Sequence, residues 1–172
     1  MRVACATKYI ARLIISSAMQ ISEARDAATA VARLVPRLAR YAGNRLDREN
    51  PPLGLTQFYV LQRIAEGTRR GTELARRAGV SGPTMSGVID RLAAAGLVRR
   101  EADPADRRAS AVTLTARGES VLAAGDRRLV DAIDSLLEGA PRDDREAVVR
   151  ACALIERALD ARVAQRAAEV TA

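Results

Sequence analysis

The chain has 172 residues, 48% of them apolar and only 2% aromatic, with 28 basic side chains against 21 acidic ones and no histidine. That length fits one domain or one half of a compact dimer, and the apolar share excludes wholesale disorder. Without histidine the commonest general base and neutral metal ligand are missing. No Gly-rich phosphate loop or pocketed carboxylate pair replaces them, so neither an enzyme nor a cofactor or metal site is expected.

The net charge of +7 is unevenly spread: residues 1–68 and 69–117 each carry ten basic and five acidic groups, whereas 118–172 carry eight and eleven. A basic first two-thirds suits a polyanion partner. Nearly all the basic residues are arginine, which makes bidentate contacts to phosphate and guanine. Cys5 and Cys152 have no metal or disulfide spacing, so a reduced cytoplasmic location is expected, with Cys152 buried on an apolar helical face. No apolar run is long enough to span a membrane, and no membrane partner is expected.

Residues 1–22 read as an N-terminal extension; the short Leu13-Ile14-Ile15 run behind Arg2, Lys8 and Arg12 is too short for a signal peptide. The first helix is expected at 23–48, with Val31, Leu34, Val35, Leu38, Tyr41, Ala42 and Leu46 at helical spacing. Pro36 inside it predicts a kink or a true start near residue 35. After the Asn50-Pro51-Pro52-Leu53-Gly54 break, a helix is expected at 56–66, capped by Thr56 and burying Phe58, Val60, Leu61 and Ile64. A short helix at 72–78 takes Thr72 as its cap, and Gly79 supplies a tight turn with Val80 plugging the core beneath it. Ser81 caps a third helix, 81–95, with Pro83 in its first turn and Met85, Val88, Ile89 and Leu92 inward.

The period then changes from helix to strand. Leu97-Val98-Arg99-Arg100-Glu101 and Ser110-Ala111-Val112-Thr113-Leu114 read as a hairpin joined by a charged turn, Asp103 to Arg108. Thr115 caps a long helix at 116–138, and a last helix is expected at 142–166, with Gly139-Ala140-Pro141 between them. The expected organisation is therefore a mainly α chain forming one structural unit. It has a dimerisation helix at 23–50, a winged helix-turn-helix at 55–115 and two dimerisation helices at 116–166.

Three short helices followed by a two-stranded hairpin make a helix-turn-helix with a wing, in which the helix after the tight turn enters the DNA major groove. The exposed face of that helix offers Ser81, Pro83, Thr84, Ser86, Gly87, Asp90 and Arg91. Small hydroxyl side chains permit close approach, and Arg91 suits phosphate or guanine. Glu73 and Arg76 are placed to approach the DNA backbone, and the hairpin arginines suit the minor groove. Capping alone also accounts for Thr72 and Ser81. The flanking helices carry more apolar stripe than one winged helix can cover. A single head also contacts too little DNA for operator-level specificity, so a homodimer on double-stranded DNA is expected.

These residues resemble the MarR family of bacterial transcription regulators. The resemblance rests on Leu55-Thr56-Gln57-Phe58 with Val60-Leu61, Glu73-Leu74-Ala75, Thr84-Met85-Ser86 with Asp90-Arg91-Leu92, and Gly96-Leu97-Val98 with Arg100. Asp106-Arg107-Arg108 with Leu114-Thr115 and Gly118 completes it, over about residues 30–165. The resemblance implies a homodimer, built by the first helix and the last two, on a pseudo-palindromic operator. It implies Ser81, Pro83, Thr84, Ser86 and Arg91 as reading positions. It further implies Arg108 at the wing tip, Asp106 bracing the hairpin, Arg107 as a second groove residue, and Arg100 supporting the wing or touching the backbone. It also implies repression relieved by a phenolic or lipophilic small molecule bound between dimer helices and reading lobes, with Tyr41, Arg45 and Phe58 near it. An effector-independent or architectural DNA binder and a thiol-based redox regulator stand as alternatives. Pro36 and the first 20 residues depart from the family pattern.

Overall fold

In the computed structural model the backbone is described for residues 3–48, 51–103 and 106–171, and side chains for these residues apart from 3–24, 103–109, 167, 170 and 171. The chain is mainly α, with one antiparallel hairpin. The elements are α1 (Val3–Leu46), α2 (Leu55–Ala65), α3 (Gly71–Ala78), α4 (Gly82–Ala94), β1 (Val98–Asp103), β2 (Asp106–Leu114), α5 (Ala116–Leu136) and α6 (Arg142–Thr171). It divides into two compact units, Met1–Ala42 and Gly43–Ala172.

The first unit is helical. Its helix α1 begins at Val3 instead of near residue 23 and runs unbroken through Pro36. Proline costs one amide donor and crowds the preceding turn, but the 44-residue helix keeps its remaining ladder on both sides. Val31, Leu34, Val35 and Leu38, the predicted stripe, are exposed in the single chain.

The second unit holds the core. Phe58, Val60, Leu61 and Ile64 of α2, Leu74 of α3, and Met85, Val88, Ile89 and Leu92 of α4 are buried as their periodicity predicts. Leu46, Leu53, Leu97, Val98 and Val112 join them in one cluster, with Val80 packed against it. At the α2–α5 crossing Gly125 admits Phe58 so closely that a Cβ at 125 would lie 2.7 Å from its ring, and Gln62 donates to Asp126 at 3.0 Å beside it. These contacts tie the winged helix to α5.

The helix starts differ from expectation in two places. Gly54, not Thr56, is the N-cap of α2, and its N–H donates to the Gln57 side chain at 2.9 Å. Arg70, not Thr72, is the N-cap of α3, because Arg70 is already extended and bridged to Ala111 of the hairpin. Val112 N–H also donates to Arg69 C=O at 2.8 Å, so 69–70 forms a short third edge that the sequence pattern does not reveal. By contrast Ser81 caps α4, accepting from Thr84 N–H at 3.3 Å, and Thr115 caps α5, accepting from Gly118 N–H at 3.0 Å.

The hairpin is longer than expected. Val98 pairs with Leu114, Arg100 with Val112 and Ala102 with Ser110, and the register shifts between Ala102 and Asp103 so that Asp103 opposes Asp106. Residues 106–108, expected in the turn, lie within β2, where Asp106 alone of the three has a ladder partner. Their Asp and Arg side chains are poor strand formers, but ladder pairing that starts from the buried Val98, Ala111 and Val112 carries the backbone outward.

Candidate nucleic-acid interface

The geometry starts at the tight turn between α3 and α4. Gly79 sits at φ +66°, a left-handed conformation that favours glycine, and Val80 N–H returns to Ala75 C=O at 3.1 Å. Tyr59 of α2 donates to Arg77 C=O at 3.2 Å and pins the end of α3 from below. The turn thus fixes α4 relative to α3, while the inner stripe of α4 is buried and its other face is free.

That other face is the one the sequence predicts for reading. Ser81, Pro83, Thr84, Ser86, Asp90 and Arg91 are exposed, and Gly87 is half-buried between them. Ser81 and Thr84 hydroxyls touch at 2.8 Å, so the start of α4 carries two adjacent small hydroxyls over the helix N-terminus. Helix N-termini favour anions such as phosphate. Arg91 has no ion-pair partner among the described residues, and a Cβ at Gly87 would lie 3.8 Å from its Nη1. Its guanidinium therefore lies back along the helix face toward the small Gly87.

The base of the wing is held differently from a free basic strand. Arg100 of β1 pairs with Asp90 of α4 at 2.7 Å. This ion pair links β1 of the hairpin to α4. An exposed pair of this kind contributes little stability, under about 1 kcal/mol. Asp106, Arg107 and Arg108 have their backbones in β2, and their side chains lie outside the described residues.

Glu73 and Arg76 are half-buried neighbours on α3, 3.7 Å apart through the Arg76 Nη2. Glu73 pairs with Arg77 at 3.0 Å, and Arg76 Nη1 donates to Val163 C=O of α6 at 3.0 Å. The sequence reading missed Arg69 and Arg70, which are exposed just before α3 at the foot of the wing. Their adjacency between two helices was the available signal.

The residues expected near an effector fall in both units. Tyr41 belongs to the first unit. Phe58 is only 4% exposed and packs against α5. In the second unit a cleft of about 770 Å³ is lined instead by Leu55, Tyr59, Arg63 and Arg77 on one side and Leu159 and Val163 of α6 on the other. Arg63 stacks over Tyr59, 5.2 Å from the ring centroid. Cys152, expected buried, is an exposed free thiol, because α6 leaves its apolar stripe uncovered in the single chain. No described helix is long and apolar enough to cross a membrane.

Residues 52–109 match the family model described as "MarR family". Over 83 residues the chain is 41% identical to the transcriptional regulator HosA of Escherichia coli O111:H-, a match covering 46% of this chain and 60% of that protein. The chain thus spans less than two-thirds of the curated relatives it matches. Among solved structures it is similar to the transcriptional repressor CouR bound to a 23-mer DNA duplex, at 29% identity and a TM-score of 0.63, covering 74% of this chain and 89% of CouR. It is also similar to the transcriptional regulator BldR of Sulfolobus solfataricus, at 26% identity and a TM-score of 0.67, covering 80% and 97%.

Proposed function

Because residues 52–109 form a MarR-family winged helix-turn-helix, we propose that this chain is a sequence-specific DNA-binding transcription regulator, a homodimeric repressor released from a pseudo-palindromic operator by a phenolic or lipophilic acid. The observation that carries the reading is the solvent-facing side of α4. Ser81, Thr84, Ser86 and Arg91 lie on one exposed face, directly after a glycine turn and directly before a wing that Asp90 and Arg100 brace against it. In the proposed complex α4 enters the major groove. Ser81 and Thr84 approach phosphate, Arg91 reads guanine or phosphate, and Arg107 and Arg108 of the wing reach the minor groove.

The dimer is supported by exposed apolar stripes. Val31, Leu34, Val35 and Leu38 of α1, and Val148, Ile155 and Leu159 of α6, are left open to solvent. Two-fold pairing of such faces covers them and presents two reading heads. An effector that changes the separation of those heads lowers operator affinity by its preference for the non-binding arrangement. The cleft beside Tyr59, Arg63 and Arg77 has the aromatic and cationic walls that an aromatic carboxylate needs.

The test is selection of genomic fragments retained by the purified full-length chain. The expected product is an inverted repeat whose half-sites are centred about one helical turn, roughly 10 base pairs, apart. Recovery of no common sequence, or of a solitary half-site bound by a monomer, would overturn the reading.

A further inference from the structure

The C-terminal helix α6 makes an unexpected contact with the helix-turn-helix. Arg76 Nη1 donates to the Val163 carbonyl at 3.0 Å, across 87 positions of sequence. The same guanidinium lies 3.7 Å from the Glu73 carboxylate through Nη2. A helical carbonyl has a second lone pair, so the bond forms without breaking the α6 ladder. Leu159 and Val163 share the walls of two adjoining clefts, one with Ala78 and Val80, the other with Arg76, Ala78 and Gly79. This stretch of α6 therefore lies over the very turn that orients α4. At its other end α6 is held by Arg145, which donates to Leu137 C=O at 2.8 Å and pairs with Asp134 at 3.3 Å. Between those two anchors most of the helix is exposed.

We propose that Arg76 is a positioning residue that pins α6 to the helix-turn-helix and so sets the separation and angle of the two reading heads. The inference rests on the homodimeric DNA-binding reading above. It goes beyond that reading in assigning the setting of head spacing to one side chain. If α6 belongs to the dimer interface, its link to α3 is a direct mechanical route from the interface to α4. Each base pair added between half-sites moves the second by roughly 3.4 Å and turns it by about 35°. A head held firmly to its dimer helix rejects such a change; a head released from it follows the DNA.

The experiment compares the wild-type dimer with Arg76→Met, which keeps the aliphatic stem but loses the donors, and Arg76→Lys, which keeps a cationic donor group. Each is titrated with the selected operator, the same operator with one base pair inserted at its centre, and an isolated half-site. Dimer mass is checked alongside. For the wild type the insertion is expected to weaken binding about tenfold or more, the cost of a lost base-pair match being of this order. Arg76→Met is expected to narrow that ratio to within about threefold, with half-site affinity unchanged, and Arg76→Lys to restore most of it. An unchanged ratio in Arg76→Met would overturn the proposal. So would a weaker half-site complex with a salt slope reduced by about one, which would make Arg76 a phosphate contact. Loss of the dimer in Arg76→Met would overturn it too, by making the residue a general structural support. Failure of the wild type to bind any of the three duplexes would instead remove the DNA-binding reading beneath it.

Discussion

Replacing Gly118 by alanine is expected to lower the thermal midpoint by roughly 6–12 °C, corresponding to about 3 kcal/mol of lost stability. A Cβ at this position would stand 2.0 Å from the Leu97 carbonyl oxygen and 2.9 Å from its carbon. The obstacle is backbone, so no rotamer change relieves it. That same carbonyl accepts the Thr115 N–H at 3.0 Å, and Thr115 in turn caps α5 through the Gly118 N–H and donates its hydroxyl to Gly96 C=O at 2.7 Å. Displacing Leu97 therefore disturbs the start of β1, the cap of α5 and a buried core leucine together. Thermal unfolding followed by circular dichroism checks this. A midpoint within about 2 °C of wild type would mean that α5 and β1 are not packed this closely in solution.

Arg91→Ala is expected to weaken operator binding roughly 5- to 150-fold, the range for losing one arginine contact to guanine or phosphate. The fold should not change, because Arg91 is exposed and has no ion-pair partner among the described residues. Two measurements separate its roles. A base contact relaxes sequence preference at one operator position, while a phosphate contact weakens all sequences alike and reduces the salt slope by about one. Fluorescence anisotropy with the selected operator and single-position variants reads both. Binding unchanged within twofold would remove Arg91 from the interface and leave α4 without its one basic reading residue.

Much of this was legible in the sequence because local and tertiary preferences agree. Phe58, Leu61, Met85, Val88, Ile89 and Leu92 recur at helical spacing, and all are buried. Ser81 and Thr115 cap helices where their side chains reach the third amide, and the structure uses both. Thr56 and Thr72 have the same chemistry but sit inside their helices. A glutamine answers the Gly54 amide, and pairing with the hairpin holds Arg70 extended, before either threonine is reached. No local pattern reveals the second of these, since Ala111 is remote in sequence. The hairpin length was hidden for a related reason, as Asp106, Arg107 and Arg108 look like a turn until the pairing of Asp106 with Asp103 is known.

Basic side chains were the least legible part of the site. Arg76, Arg91 and Arg100 differ little in composition or spacing, yet the structure assigns them different partners: a backbone carbonyl of α6, no ion pair among the described residues, and Asp90. Arginine is long enough that its partner is chosen by tertiary geometry. The apolar stripes of α1 and α6 had the opposite character. Their periodicity was plain, but what covers them depends on a second chain, which is why Cys152 was expected to be buried and is exposed.

The central claim, that this winged helix-turn-helix binds double-stranded DNA as part of a dimer, is tested most directly by titrating the selected operator across salt concentration. A dimer contacting six to ten phosphates loses roughly a thousandfold or more in affinity between about 50 and 200 mM salt, because displaced counterions must return. Such a fall is expected, with a stoichiometry of two chains per operator. An affinity that stays flat over that range, or a stoichiometry of one chain, would contradict it.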